Sequence, residues 1–177
     1  MIVLAVDPSV ASPGAALFGD GILIAADRFS PSRPVGLESR GRRARRVAKM
    51  IFHWLPAYTA SVDVLVYEWP QVYTAKKSKG DPNDLIALAA VGAALAGLLD
   101  GQLVEEHTPT PAEWTGGVPK VTRGNPWRSP RGARVAARLS AAERALVPDS
   151  HDAIDSVGLG LWYLGRFERA RVFPGAT

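Results

Sequence analysis

The stretch MIVLAVDPSVASPGAALFGDGILIAADRF, residues 1–29, decides the fold. Ile2 to Val6 is a continuous aliphatic run that stops at Asp7-Pro8-Ser9, the pattern of a buried strand ended by turn chemistry. Asp7 is thereby placed at the carboxyl end of a strand. Two further apolar runs, Gly14 to Phe18 and Gly21 to Ala26, flank the turn Gly19-Asp20-Gly21. The three runs predict an antiparallel meander within the first thirty residues or so.

Beyond the Pro-rich linker Ser30 to Pro34, Leu37 to Leu55 carries Val47, Met50, Ile51, Trp54 and Leu55 at helical spacing. Arg40, Arg42, Arg43, Arg45, Arg46 and Lys49 crowd its first half, so this helix is amphipathic and strongly basic. Pro56 ends it. Val62 to Tyr67 is another strand pattern, interrupted only by Asp63, and it delivers Glu68 at its end. A loop from Trp69 to Gly80 leads to Asp81-Pro82, a helix start with Asp81 as N-cap, and to an Ala-rich helix. Gln102 to Glu106 reads as a fifth strand and Thr108 to Pro130 as mostly loop. Ser150 is placed to cap a last helix from His151 to about Phe167. The order predicts an α/β fold: a five-stranded mixed sheet flanked by helices, three antiparallel strands first and parallel strands after, with the first strand central.

Composition narrows the function classes. With 47% hydrophobic and 21% charged residues the chain is neither disordered nor membrane-embedded, and its 177 residues predict one domain over 1–177. The longest apolar stretch, Leu85 to Leu99, falls short of the roughly 20 residues that cross a bilayer. Met1 to Val10 lacks the basic start and cleavage site of a secretory signal, and the absence of cysteine suits a reducing cytoplasm. It also excludes a disulfide framework and any thiolate site. A net charge of +4 and a pI near 9.7 point to an anionic partner, nucleic acid first.

Four acids stand out. Asp7 and Glu68 end apolar strands, while Asp152 and Asp155 are three residues apart and share one helix face. If the two strands are neighbours and the last helix begins over their ends, several negative charges fall in a small volume. Such a cluster calls for divalent cations, and oxygen donors favour Mg²⁺ or Mn²⁺ over zinc. Two ions about 3.5–4 Å apart activate a water and stabilise the leaving oxygen in phosphodiester hydrolysis. Taken singly, each acid also has a structural reading: Asp7 capping a turn, Glu68 pairing with an Arg, Asp152 complementing its helix dipole.

The segments AVDPSVASPGAALF (5–18), VLVYEWPQVYTAKKSKGDPNDLIALAAVGAALAG (64–97) and SHDAIDSVGLGLWYL (150–164) resemble, in order and spacing, the RuvC-type Holliday junction resolvases of the ribonuclease H-like superfamily, in particular phage-like members. The resemblance implies that Asp7, Glu68, Asp152 and Asp155 bind two divalent ions. It further implies a homodimer that places two active sites on a four-way DNA junction in the cytoplasm of a bacterial or phage-infected host cell. By the same resemblance Tyr73 matches an aromatic that stacks in the open junction centre, and Lys120 roughly matches a basic residue near the scissile phosphate, although TGGVPKVTRGNPWRSPRG departs from the bacterial pattern. His151 precedes Asp152, and some family members carry histidine at the third acid position; here Asp152 fills it.

From the residues themselves, Lys76, Lys77 and Lys79 suit phosphate contacts beside the acids. No acid occurs from Trp114 to Ala142, so Arg123, Arg128 and Arg131 read as phosphate binders. The basic helix at 40–49 is either a second DNA surface or the exposed face of a core helix. Two rival readings stay open: a related nuclease acting on other branched DNA or RNA–DNA hybrids, and a catalytically silent DNA-binding module.

Overall fold

The computed structural model describes residues 1–32, 38–71, 82–118 and 123–167. Three strands open the chain, β1 (Ile2–Asp7), β2 (Gly14–Gly19) and β3 (Ile22–Arg28). Helix α1 (Arg40–Trp54) leads to β4 (Val64–Tyr67), and α2 (Pro82–Leu98) to β5 (Glu105–His107). Short helices α3 (Pro111–Thr115), α4 (Pro130–Ala136) and α5 (Ala141–Ala145) precede α6 (His151–Tyr163). The sheet order is β3-β2-β1-β4-β5; β1 is antiparallel to β2 and parallel to β4, and β4 is parallel to β5. The expected mixed sheet, with the first strand at its centre, is what forms.

β1 is apolar from Ile2 to Val6 because both of its faces are covered. Leu4 and Val6 pack with Val47 and Ile51 of α1 and Val91 and Leu95 of α2, whereas Val3 and Ala5 pack with Ile154, Val157 and Leu161 of α6. Period-2 alternation thus feeds two cores, one on each side of the sheet. α6 lies very close to the sheet. A Cβ on Gly160 would stand 2.2 Å from the Phe18 ring, and one on Gly14 would stand 2.0 Å from the backbone carbonyl oxygen of Asp152. Glycine at 14 therefore lets the first turn of α6 rest on the start of β2.

Several boundaries differ from the expected ones. α1 begins at Arg40, where the Ser39 hydroxyl accepts from the N–H of Arg42. β4 starts at Val64, and Asp63 just before it accepts through its carboxylate from the N–H of Ile2 at 2.6 Å. β5 begins at Glu105 rather than Gln102, and Val104 is exposed. α6 stops at Tyr163 instead of Phe167. Gly165 takes a φ of 64°, and the N–H of Arg166 donates to the carbonyl of Leu161, a left-handed helix stop. Ser150 holds the N-cap position of α6, but its side chain makes no capping bond. The expected loop at 108–130 contains α3 and a 3-10 turn at Pro126–Arg128. Among the described residues no helix is long and apolar enough to cross a membrane.

Candidate active site at the carboxyl ends of the central strands

Asp7 is the last residue of β1, paired with Gly14. Val6 is in register with Tyr67 of β4, and the N–H of Glu68 donates to the carbonyl of Val6 at 3.3 Å. Asp7 and Glu68 are therefore neighbours at the ends of adjacent parallel strands. The close approach of Gly14 to Asp152 brings the first turn of α6 to the same place, with Asp155 one turn on and 4% exposed. Three elements far apart in sequence thus set four carboxylates around one end of the sheet.

Each acid has partners. The Ser12 hydroxyl donates to Asp152 Oδ2 at 2.8 Å, and Arg28 Nε lies 3.6 Å from the same oxygen. The Trp114 indole N–H donates to Glu68 Oε2 at 2.6 Å, from a ring only 3% exposed. Arg131 pairs with Asp155 Oδ2 at 3.2 Å, donates through Nε to the carbonyl of Val118 at 3.1 Å, and lies 5.3 Å from the centre of the Trp114 ring. Just before Glu68, the Tyr67 hydroxyl donates to Glu106 at 2.9 Å, and burial, with that carboxylate's help, pushes the phenol well above its ordinary range.

As these side chains stand, no group of three or more Asp, Glu or His among the described residues is close enough together to hold a metal ion. The donor chemistry nonetheless fits one. Four carboxylates are hard oxygen ligands of the kind Mg²⁺ and Mn²⁺ take, and the backbone holds them at one sheet end.

Of the other expected residues, Arg131 lies at the cluster, whereas Arg123 and Arg128 are exposed on the loop that leads to it. Tyr73, Lys76, Lys77, Lys79 and Lys120 lie outside the described residues. His151 sits in the first turn of α6, its Nε2 buried without a hydrogen-bond partner among the described residues. The basic face of α1 lies across the sheet from α6, where Phe29, Arg42, Arg45, Lys49, Met50 and Trp54 help to line an open groove of about 740 Å³. Sequence reading missed Ser12, Arg28 and Trp114. Ser12 could have been found from its place within the Asp7 turn, but nothing local links Trp114 to Glu68.

No protein-family model and no curated protein matches this chain. Solved structures do. Thermus thermophilus RuvC in complex with a Holliday junction substrate superposes with a TM-score of 0.59 at 12% identity, over 97% of this chain and 96% of that one. A second structure of Thermus thermophilus RuvC gives 0.52 at 15% identity, over 96% of each chain. The yeast mitochondrial Holliday junction resolvase Ydc2 gives 0.55 at 14% identity, over 96% of this chain and 81% of that one. The chain shares with these proteins the ribonuclease H-like architecture of a five-stranded mixed sheet flanked by helices.

Proposed function

We propose that this protein is a Mg²⁺- or Mn²⁺-dependent endonuclease that cuts four-way DNA junctions by hydrolysis, with Asp7, Glu68, Asp152 and Asp155 as the metal-binding acids. The observation that carries the reading is the juxtaposition of Asp7 and Glu68 on adjacent strand ends beneath the first turn of α6. The likeness in fold to RuvC bound to a Holliday junction supports the choice of branched DNA.

Two bound ions would supply the activated water and the charge that stabilises the leaving oxygen. The chain's own residues do the rest. The two strand ends and α6 fix the backbone of the four acids, Trp114 orients Glu68, and Ser12 orients Asp152. Arg123 and Arg128 offer exposed guanidinium groups to the phosphates along the approach. Tyr73, Lys76, Lys77, Lys79 and Lys120 are assigned to the DNA as well: Tyr73 to the junction centre, the lysines to phosphates.

The active form is assigned as a homodimer that presents two sites to opposing strands. Helix α2 supports this, since it carries no charge between Leu85 and Leu99 and yet turns Ile86, Ala93 and Gly97 outward. Ile86 is 67% exposed. An uncharged, apolar outward stripe suits packing against a second copy.

Incubation with an immobile four-way junction, with Mg²⁺, with Mn²⁺ and with chelator, tests the reading. The expected products are paired, symmetric, metal-dependent nicks that yield linear duplexes. Binding without cleavage in any metal would favour a silent DNA-binding module, and cleavage confined to hybrids or flaps would move the substrate class.

A further inference from the structure

Arg131 differs from the other arginines of the basic segment. Arg123 and Arg128 face solvent, whereas the Arg131 side chain is 15% exposed and its partner Asp155 only 6%. Pro130 opens α4, so Arg131 stands in that helix's first turn, aimed at the first turns of α6. Three contacts fix its guanidinium: Asp155 at 3.2 Å, the carbonyl of Val118 at 3.1 Å, and the Trp114 ring at 5.3 Å. Trp114 in turn holds Glu68. One planar cation is thereby linked to an acid of α6 directly and, through a single ring, to the acid that follows β4.

We infer that Arg131 competes with the divalent cation for Asp155, setting how tightly the acid cluster holds metal and giving up its guanidinium to a substrate phosphate when metal binds. This rests on the proposed metal-dependent reading of the site. The physical argument is charge and space. A guanidinium 3.2 Å from Oδ2 already places one positive charge on the carboxylate that a divalent cation would need. Two positive centres sharing one buried carboxylate oxygen repel strongly where little water screens them. The divalent ion carries the larger charge and displaces the arginine. Arg131 then stays tethered beside the acids through Val118, with its planar N–H fork turned to the kind of group it binds best after a carboxylate, a phosphate. Arg131 is on this account a positioning residue whose effect is read first in metal affinity.

The test is Mn²⁺ binding by the full-length protein, followed by the loss of the free-ion electron spin resonance signal, for the wild type and for Arg131→Gln, Arg131→Lys and Arg144→Gln. Arg131→Gln is expected to tighten Mn²⁺ by about tenfold, the scale on which a neighbouring arginine shifts a carboxylate's affinity for a competing cation. Arg131→Lys keeps the charge but loses the planar guanidinium that reaches both Val118 and the Trp114 ring, and should fall between the two. Arg144→Gln removes the same charge from an exposed position on α5 and should leave binding unchanged. A purely structural ion pair predicts the opposite sign, with weaker binding when Arg131 is lost. Unchanged or weaker binding in Arg131→Gln, with the wild type binding normally, overturns the inference alone. No binding by folded wild type or folded Arg131→Gln overturns the metal reading with it. If Arg131→Gln does not fold, Arg131→Lys decides, tighter than wild type in support and equal or weaker against.

Discussion

Among the described residues two buried carboxylates, Glu143 and Asp155, pair with arginine, and their surroundings are built differently. Glu143 accepts from Arg166 at 2.7 and 3.2 Å and also from the backbone N–H groups of Leu23 at 3.1 Å and of Ser140 at 2.8 Å. Arg166 donates in addition to the carbonyls of Gly21 and Arg138. The pair thus ties the edge strand β3 to α5 and to the turn after α6, and Arg166 above all holds the Glu143 carboxyl down to about 2. At the other end of the sheet, side chains reach Glu68, Asp152 and Asp155: an indole N–H, a hydroxyl and a guanidinium donate to them, and Arg28 forms an ion pair with Asp152 at 3.6 Å. Backbone N–H groups cannot leave a carboxylate without unfolding the element that carries them, whereas side chains can rotate away. The difference separates a clasp from a site that can exchange its partners.

The largest expected effect lies at the exchangeable end. Asp7→Asn removes a charge but little volume, and junction cleavage should fall about a thousandfold or more, some 4 kcal/mol of transition-state stabilisation, while junction binding persists. Gel assays of both properties on one preparation check this; retained cleavage would dissolve the distinction between the two regions.

Next comes the clasp. Arg166→Ala leaves Glu143 buried without its cation and should cost about 3 kcal/mol of stability, read by denaturant unfolding. The pH dependence follows from the depressed Glu143 value. The folded pKa, about 2, is below the ordinary 4.5, so this stabilisation is complete above about pH 4.5 and is lost as pH falls towards 2. Arg166→Ala should flatten that acid limb. Cleavage per folded molecule should stay at the wild-type level, and a loss there would show that the clasp also shapes the site.

Smaller effects sharpen the site itself. Trp114→Phe keeps the ring but removes the N–H that orients Glu68, and should weaken divalent affinity by about 10–100-fold, the usual range for an outer-shell partner. Titration calorimetry with Mn²⁺ reads it. Gly14→Ala forces a methyl against the Asp152 carbonyl and should cost about 1–3 kcal/mol. Its cleavage should fall further than its folded fraction, because the displaced element is the one that carries two of the acids.

Much of this plan is legible along the chain. A five-residue aliphatic run ending in an acid names both a central strand and its carboxyl end, and Asp7 was found that way; Glu68 follows from the same logic. Asp152 and Asp155 follow from a three-residue spacing on one helix. What stays hidden are contacts between segments with no shared local pattern. Trp114 and Glu68 are 46 residues apart, and Arg131 and Asp155 are joined only because α4 packs on α6. Leu103 and Val104 look like strand residues, yet Val104 is 77% exposed and its N–H is taken by the Asp63 carbonyl, so the strand begins only at Glu105. At the end of α6 Leu164 and Phe167 extend the apolar pattern although Gly165 has already turned the backbone.

The central claim is that acids from β1, from the residue after β4 and from α6 form one divalent-cation site. Its most direct test is to load the protein with Fe²⁺ in place of Mg²⁺, add peroxide and ascorbate, and map where the hydroxyl radicals cut the protein's own backbone. The account expects cuts around residues 7, 68 and 152–155 together, all suppressed by excess Mg²⁺ and absent in Asp7→Asn. Cuts at one of these segments without the others, or only elsewhere in the chain, would contradict it.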